Sequence, residues 1–200
     1  MKKTIQTLLL MAVLLFSGAV QHANAQSPVS LGVKGALNIA DFINTDSDFS
    51  TRSGLSAGLA LEIRPPLMAF GIETGLYYTQ KGAEVGDSTI KLDYLQVPVL
   101  AKFGFGPPGP LSPHLFIGPF VGFNVNAELD GNLGDVNFVV DISDDAKDVE
   151  FGAIFGLGAD LNLVATTLNF HVKYDLGVSS AFSGVDERNG VFAIGVGIMF

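Results

Sequence analysis

The sequence predicts an all-β protein, an eight-stranded antiparallel up-and-down transmembrane β-barrel. Three observations predict it. Bulky apolar residues recur at every second position through eight separate segments, the period of a strand whose side chains alternate between two faces. The opposite face of those segments is built from glycine and other small residues with charges set among them, which suits a narrow closed interior rather than a soluble sheet. Hydrophobic residues make up 48% of the chain, yet past residue 25 no run approaches the roughly 20 apolar residues of a spanning helix.

Residues 1–25 have the form of a secretory signal. Lys2 and Lys3 give the basic start, Ile5 to Val20 the apolar stretch, and Ala23-Asn24-Ala25 the small-residue cleavage site. Cleavage leaves Gln26 first and residues 26–200 as the barrel domain. The apolar run is short for a membrane anchor, and a lipoprotein signal needs a cysteine, of which the chain has none. That absence also removes disulfides, thiol catalysis and thiolate metal sites. Loss of the two lysines moves the net charge from −9 to about −11, which argues against nucleic acid as a partner.

The first strand is expected over 31–40, with Leu31, Val33, Gly35, Leu37 and Ile39 on one face. Asp41 to Ser53 reads as a polar loop. The second strand spans 55–64, with Glu62 and Arg64 on the small face, and Pro65-Pro66-Leu67-Met68 ends it. The third spans 70–80 with Glu73 inward, and Lys81 to Ser88 reads as the next polar loop. The fourth spans 90–105 with Lys102 inward, and the run Gly106 to Pro110 turns it. The fifth spans 113–127. The acidic stretch from Glu128 to Lys147 follows as the longest loop, its middle from Val136 to Ile142 able to extend the hairpin beyond the membrane. The sixth strand spans 149–161 with Glu150 and Asp160 inward, and the seventh 168–178 with His171, Lys173 and Asp175 inward. The eighth spans 189–200, where Phe192, Ile194, Val196, Ile198 and Phe200 form one apolar face.

Connections after the even-numbered strands read as short, and those after the odd-numbered strands as mostly longer and polar. This sorting matches outer-membrane barrels, with short periplasmic turns and both termini periplasmic. A soluble barrel would instead turn its bulky residues inward around a ligand. The small face settles the polarity: Lys34, Glu62, Arg64, Glu73, Lys102, Glu150, Asp160, Lys173 and Asp175 recur there. A basic side chain in hydrocarbon costs about 2–4 kcal/mol, so these charges belong inside. Tyrosines and phenylalanines near strand ends suit interfacial girdles, although the chain has no tryptophan.

Four stretches carry a family resemblance: Gly32-Val33-Lys34-Gly35-Ala36-Leu37-Asn38; the run Gly71 to Gly82, ending Gln80-Lys81-Gly82; Tyr94-Leu95-Gln96-Val97-Pro98-Val99-Leu100-Ala101-Lys102; and the terminal phenylalanine. On these the chain resembles the PorT-like outer-membrane β-barrels of Bacteroidota and, more distantly, the eight-stranded OmpX/OmpA-type barrels. The resemblance implies a fold and an outer-membrane location. It implies no single activity, and the link of one namesake to type IX secretion is marked by no residue here.

The inner charges, with His171, read as a salt-bridged plug, because eight strands enclose room for side chains only. The alternatives are a narrow pore or secretion accessory and, third, a lipid-modifying enzyme built on His171, Asp175 and nearby Ser179 and Ser180. Catalysis is disfavoured because His171 faces inward and Asp175 lies about 13 Å along the strand. Asp130, Asp135, Asp141, Asp144, Asp145 and Asp148 match no calcium loop and read as solvated charge. Pro98 and Pro119, inside neighbouring strands, predict a bulge near one of them. The expected function is therefore that of a non-enzymatic surface barrel without cofactor or metal, its loops making envelope or host-facing contacts. Its expected partners are outer-membrane lipid and, through the 192–200 face, the barrel-assembly machinery.

Overall fold

The computed structural model describes residues 28–43, 50–65, 68–86, 88–106, 109–133, 136–143, 145–182 and 187–200. The expected signal segment, with Ala23, Ala25 and Gln26, lies outside them. Every named element is a strand: β1 (Val29–Ile43), β2 (Ser50–Ile63), β3 (Phe70–Val85), β4 (Ser88–Gly104), β5 (Leu111–Leu133), β6 (Val136–Asp141), β7 (Val149–Asn162), β8 (Thr167–Gly177) and β9 (Arg188–Met199). All pairings are antiparallel. Eight strands close a ring in which β1 pairs with both β2 and β9 while β4 pairs with both β3 and β5. Beyond β9, Phe200 exchanges backbone hydrogen bonds with Leu31 at 2.7 and 3.1 Å, so the seam is zipped to the last residue. Closure satisfies every edge that would otherwise face hydrocarbon.

The alternation expected from the sequence is present. Leu37, Leu55, Ile117, Leu157 and Val196 are exposed, and the residues between them are buried or half-buried. The outward row of β9 is Phe192, Ile194, Val196 and Ile198, continued by Phe200. Inside, large side chains lie over glycines directly opposite: Tyr77 over Gly58, His114 over Gly158, Phe116 over Gly156, Phe120 over Gly152 and His171 over Gly195. A Cβ at any of these glycines would strike the ring above it. The small residues of the inner face are thus sockets for a few large ones, and this interlock fixes the register.

Three expectations are corrected. The polar stretches assigned to loops at one end are largely strand. β3 runs on to Val85 and turns directly into β4 from Ser88, with Gly86 at φ 56° in the turn. β2 begins at Ser50, and β5 continues to Leu133. Polar residues above a bilayer satisfy a sheet as readily as a loop, because water covers both faces. The sorting of connections by length is consequently weaker than expected. Finally, the prolines shift no register. Around them pairs drop out: β4 and β5 lose Val99–Pro119 and Leu100–Gly118, and β3 and β4 lose Gly75–Pro98 and Leu76–Val97. Thr74 Oγ1 donates to the Pro98 carbonyl at 2.7 Å beside that gap. The register slips instead between Asp93 and Tyr94 and between Thr51 and Ser56. The expected hairpin extension is present, as β6 against the upper end of β5.

Candidate functional site

The strand pairings bring the predicted inner charges together in the lumen. Lys102, on β4, is the hub near the short-turn end. Its Nζ lies 2.6 Å from Glu62, 3.1 Å from Glu73 and 3.7 Å from Asp160, with its side chain 2% exposed. Lys34 reaches Glu73 at 2.5 Å, and Arg64 bridges Glu62 at 2.7 Å and Asp160 at 3.2 Å. Asn169 donates to Asp160 at 2.6 Å, and His114 Nδ1 stands 3.4 Å from the same carboxylate. Arg64 alone is partly open, at the mouth.

Further along the barrel, Lys173 is held by Asp175 at 2.7 Å, and Gln96 donates to Asp175 at 3.1 Å. A third group sits below the loops. Lys81 reaches Glu150 at 2.7 Å, Asn189 donates to Glu150 at 3.0 Å, and the Lys81 ammonium lies 4.4 Å from the Phe120 ring centre. Near it, in the wall, Arg52 bonds the Lys81 carbonyl and approaches Asp93 at 4.0 Å, while Tyr78 donates to Asp93 at 2.7 Å. Between the charged layers lies an apolar layer of Leu100, Phe116, Phe120 and Ile154. The internal space bordered by Lys34, Tyr77, Gln96 and His171 is about 40 Å³, room for a few waters.

An apolar cap closes the loop end. Phe42, Ala83, Leu92, Tyr94 and Ala127 from the strands pack against Ala146 and Ala181 from the connections, with Ile142 and Phe182 beside them. Ala146 and Phe182 form a β-bridge, Lys147 N–H donates to the Ala181 carbonyl at 2.9 Å, and Phe182 meets Phe42 edge-on at 5.8 Å. Salt bridges therefore fill one end of the lumen and apolar packing the other. Both are continuous with the side-chain layers between them.

All ten predicted lumen residues point into this network. His171 does not meet a catalytic partner there: its Nδ1 faces Asn169 Oδ1 at 2.9 Å, while Ser179 serves the Phe151 backbone at the rim. The sequence reading missed Lys81, Gln96, His114 and Asn189 as lumen residues. Lys81 was legible, since it continues the inward series Glu73, Gly75, Tyr77, Thr79 once the strand is carried one residue further. His114 likewise continues the series of Phe116 and Phe120.

A family model described as outer membrane protein beta-barrel domain matches residues 21–183. Among solved structures, the chain is similar to Neisserial surface protein A at 15% identity, covering 87% of this chain and 98% of that one with a TM-score of 0.55. It is also similar to Ail, the attachment invasion locus protein of Yersinia pestis, at 15% identity, covering 87% and 99% with a TM-score of 0.46. The N-terminal barrel domain of Pseudomonas aeruginosa OprF matches at 14% identity, covering 84% and 97% with a TM-score of 0.41. No curated protein matches the sequence.

Proposed function

Because the chain belongs to the outer membrane protein β-barrel domain family of the bacterial outer membrane, we propose that it is a non-conducting, non-enzymatic barrel that presents its loop end outside the cell as a contact surface, with both termini periplasmic. The distribution of charge carries this reading. Five lumen bases, Lys34, Arg64, Lys81, Lys102 and Lys173, stand against five lumen acids, Glu62, Glu73, Glu150, Asp160 and Asp175. The plug is balanced, so the net charge lies elsewhere. The described residues 28–33, 65, 68–72, 103–106, 109–113, 161–168 and 195–200, which make the short-turn end, include no Asp, Glu, Lys or Arg. At the loop end the described residues include the acids Asp41, Glu84, Glu128, Asp130, Asp141, Asp145, Asp148 and Glu187 against the bases Lys91, Lys147 and Arg188. A strongly acidic rim on a rigid wall keeps the surface hydrated and selects approaching partners by charge.

The PorT-like resemblance fits the same account. Lys34, Glu73, Tyr77, Lys81, Tyr94, Gln96 and Lys102, which lie in its signature stretches, all border the plug, the middle cavity or the cap. We read the signature as that of a filled lumen.

Lysine labelling tests the orientation. A membrane-impermeant amine reagent applied to intact cells is expected to modify Lys91 and Lys147 and to spare Lys34, Lys81, Lys102 and Lys173. Modification of Lys91 and Lys147 only after the outer membrane is permeabilised would reverse the orientation. Assembly gives a second prediction. Phe200 ends the outward apolar row and is bonded to Leu31 across the seam. Its deletion is expected to lower outer-membrane yield more than deletion of any loop residue, read as the heat-modifiable band in membrane fractions. An unchanged yield would remove the assembly role of the 192–200 face.

A further inference from the structure

β6 is held from one side. Among the described residues it pairs with β5 and with no other strand, because β7, which takes its place beside β5 lower down, begins only at Val149. Phe138 pins it, its ring lying over Gly131 directly opposite. Ile142 N–H donates to the Ala127 carbonyl of β5 at 3.0 Å. Backbone groups alternate in direction along an antiparallel strand, so Phe138 and Val140 also bond towards β5. Asn137, Val139 and Asp141 then turn their N–H and C=O groups to the free edge. Val139 and Val140 are exposed, at 65% and 46%. An open edge of this kind is a template for another strand.

The charges beside that edge are unbalanced in a specific way. Glu128 lies directly opposite Asp141, and like charges in opposed positions destabilise a sheet. Lys91, the base opposite Glu128 on β4, gives its ammonium to Asp130 instead. Ser143 donates through its Oγ and N–H to Asp141 Oδ1 at 2.6 and 2.9 Å, which holds that carboxyl below the usual carboxylate range and keeps it charged in mildly acidic surroundings. A strand added at the free edge would set alternate side chains on the face that carries Glu128, Asp130, Val139 and Asp141.

Resting on the loop-end contact role above, we propose that β6 accepts an extended basic segment of another protein as an added strand, with basic side chains on the face that carries Glu128, Asp130 and Asp141 and apolar ones on the opposite face, beside Val140. The open backbone edge supplies the affinity and the facing acids supply the selection. A second copy of this chain is a poorer occupant, because its β6 carries no Lys or Arg to meet those acids.

The test uses the full folded barrel in zwitterionic nanodiscs and a fluorescent peptide alternating valine and lysine, followed by anisotropy with empty discs as control. Binding is expected, and a peptide alternating valine and glutamate is expected not to bind. N-methylation of alternate peptide amides, or Val139→Pro in the barrel, is expected to weaken binding about ten-fold or more; proline is tolerated on an edge strand, and heat-modifiable migration verifies folding. Glu128→Gln with Asp141→Asn is expected to weaken binding and flatten its salt dependence. Absence of binding, or binding indifferent to both N-methylation and Val139→Pro, would overturn the strand addition. If lysine labelling places the loop end outside and the peptide fails, only this inference falls. If labelling places it inside, the orientation falls whatever the peptide does.

Discussion

Replacing Lys102 with methionine is expected to destabilise the barrel by about 3–5 kcal/mol, the cost of removing one partner from a buried ion cluster. The change leaves Glu62, Glu73 and Asp160 crowded around an apolar side chain, with Lys34 and Arg64 as their remaining counter-charges. One carboxylate charge is then left without a counter-charge and must draw in water. The expected readout is a lower urea midpoint for loss of the heat-modifiable form in lipid vesicles. Adding Glu73→Gln to Lys102→Met is expected to recover part of the loss, because it restores the balance of charge. Lys147→Met, at the loop end, is expected to change stability by less than about 0.5 kcal/mol. A Lys102→Met barrel with wild-type stability would mean that the lumen is hydrated enough to screen the acids, and the plug would then be no plug.

The second large effect is expected at Gly118, where the wall is tightest. Gly118 sits on β5 opposite Ile154 and faces the stretch of β4 where ladder pairs are missing beside Pro98 and Pro119. A Cβ there would overlap the Val99 carbonyl oxygen and lie 2.9 Å from Leu100 Cα. Both obstacles are backbone, so no rotamer change relieves them, and separating β4 from β5 would open the ring. Gly118→Val is expected to cost on the order of 3 kcal/mol or more and to leave most of the protein unable to reach the heat-modifiable form. Gly35→Ala is the contrast. Its Cβ would meet only Ser56 O, at 3.6 Å, and it is expected to fold with wild-type yield. Equal yields from the two variants would show that the close approach of β4 and β5 is absent.

The wall was legible in the sequence because lipid imposes a strict rule: outward side chains must be apolar, so the period-2 signal runs unbroken through each spanning segment. Above the bilayer that rule lapses. Lys81 and Glu84 put polar residues on both faces of the one extension, and Glu128 and Asp130 put acids among the apolar residues of the other, so in composition both resemble a loop, yet they pair as strand. The inward direction of the charges was legible from the same alternation. Their partners were not, because strand register and barrel tilt decide them. Lys102 meets Asp160 past the intervening strand β5, and nothing local to either residue signals the other. The apolar cap was hidden for a related reason: Ala146, Ala181 and Phe182 lie in polar connections, and only the folding of those connections over the mouth buries them. The prolines marked a real irregularity but not its form, since dropped pairs absorb the missing donors without a change of register.

Planar-bilayer recording of the purified, folded barrel tests most directly whether side chains block the lumen. The salt-bridged lower layers, the apolar layer around Phe116 and Phe120 and the cap around Phe42 together predict a membrane that carries protein but no unitary current. Reproducible single-channel steps from the folded barrel would contradict it.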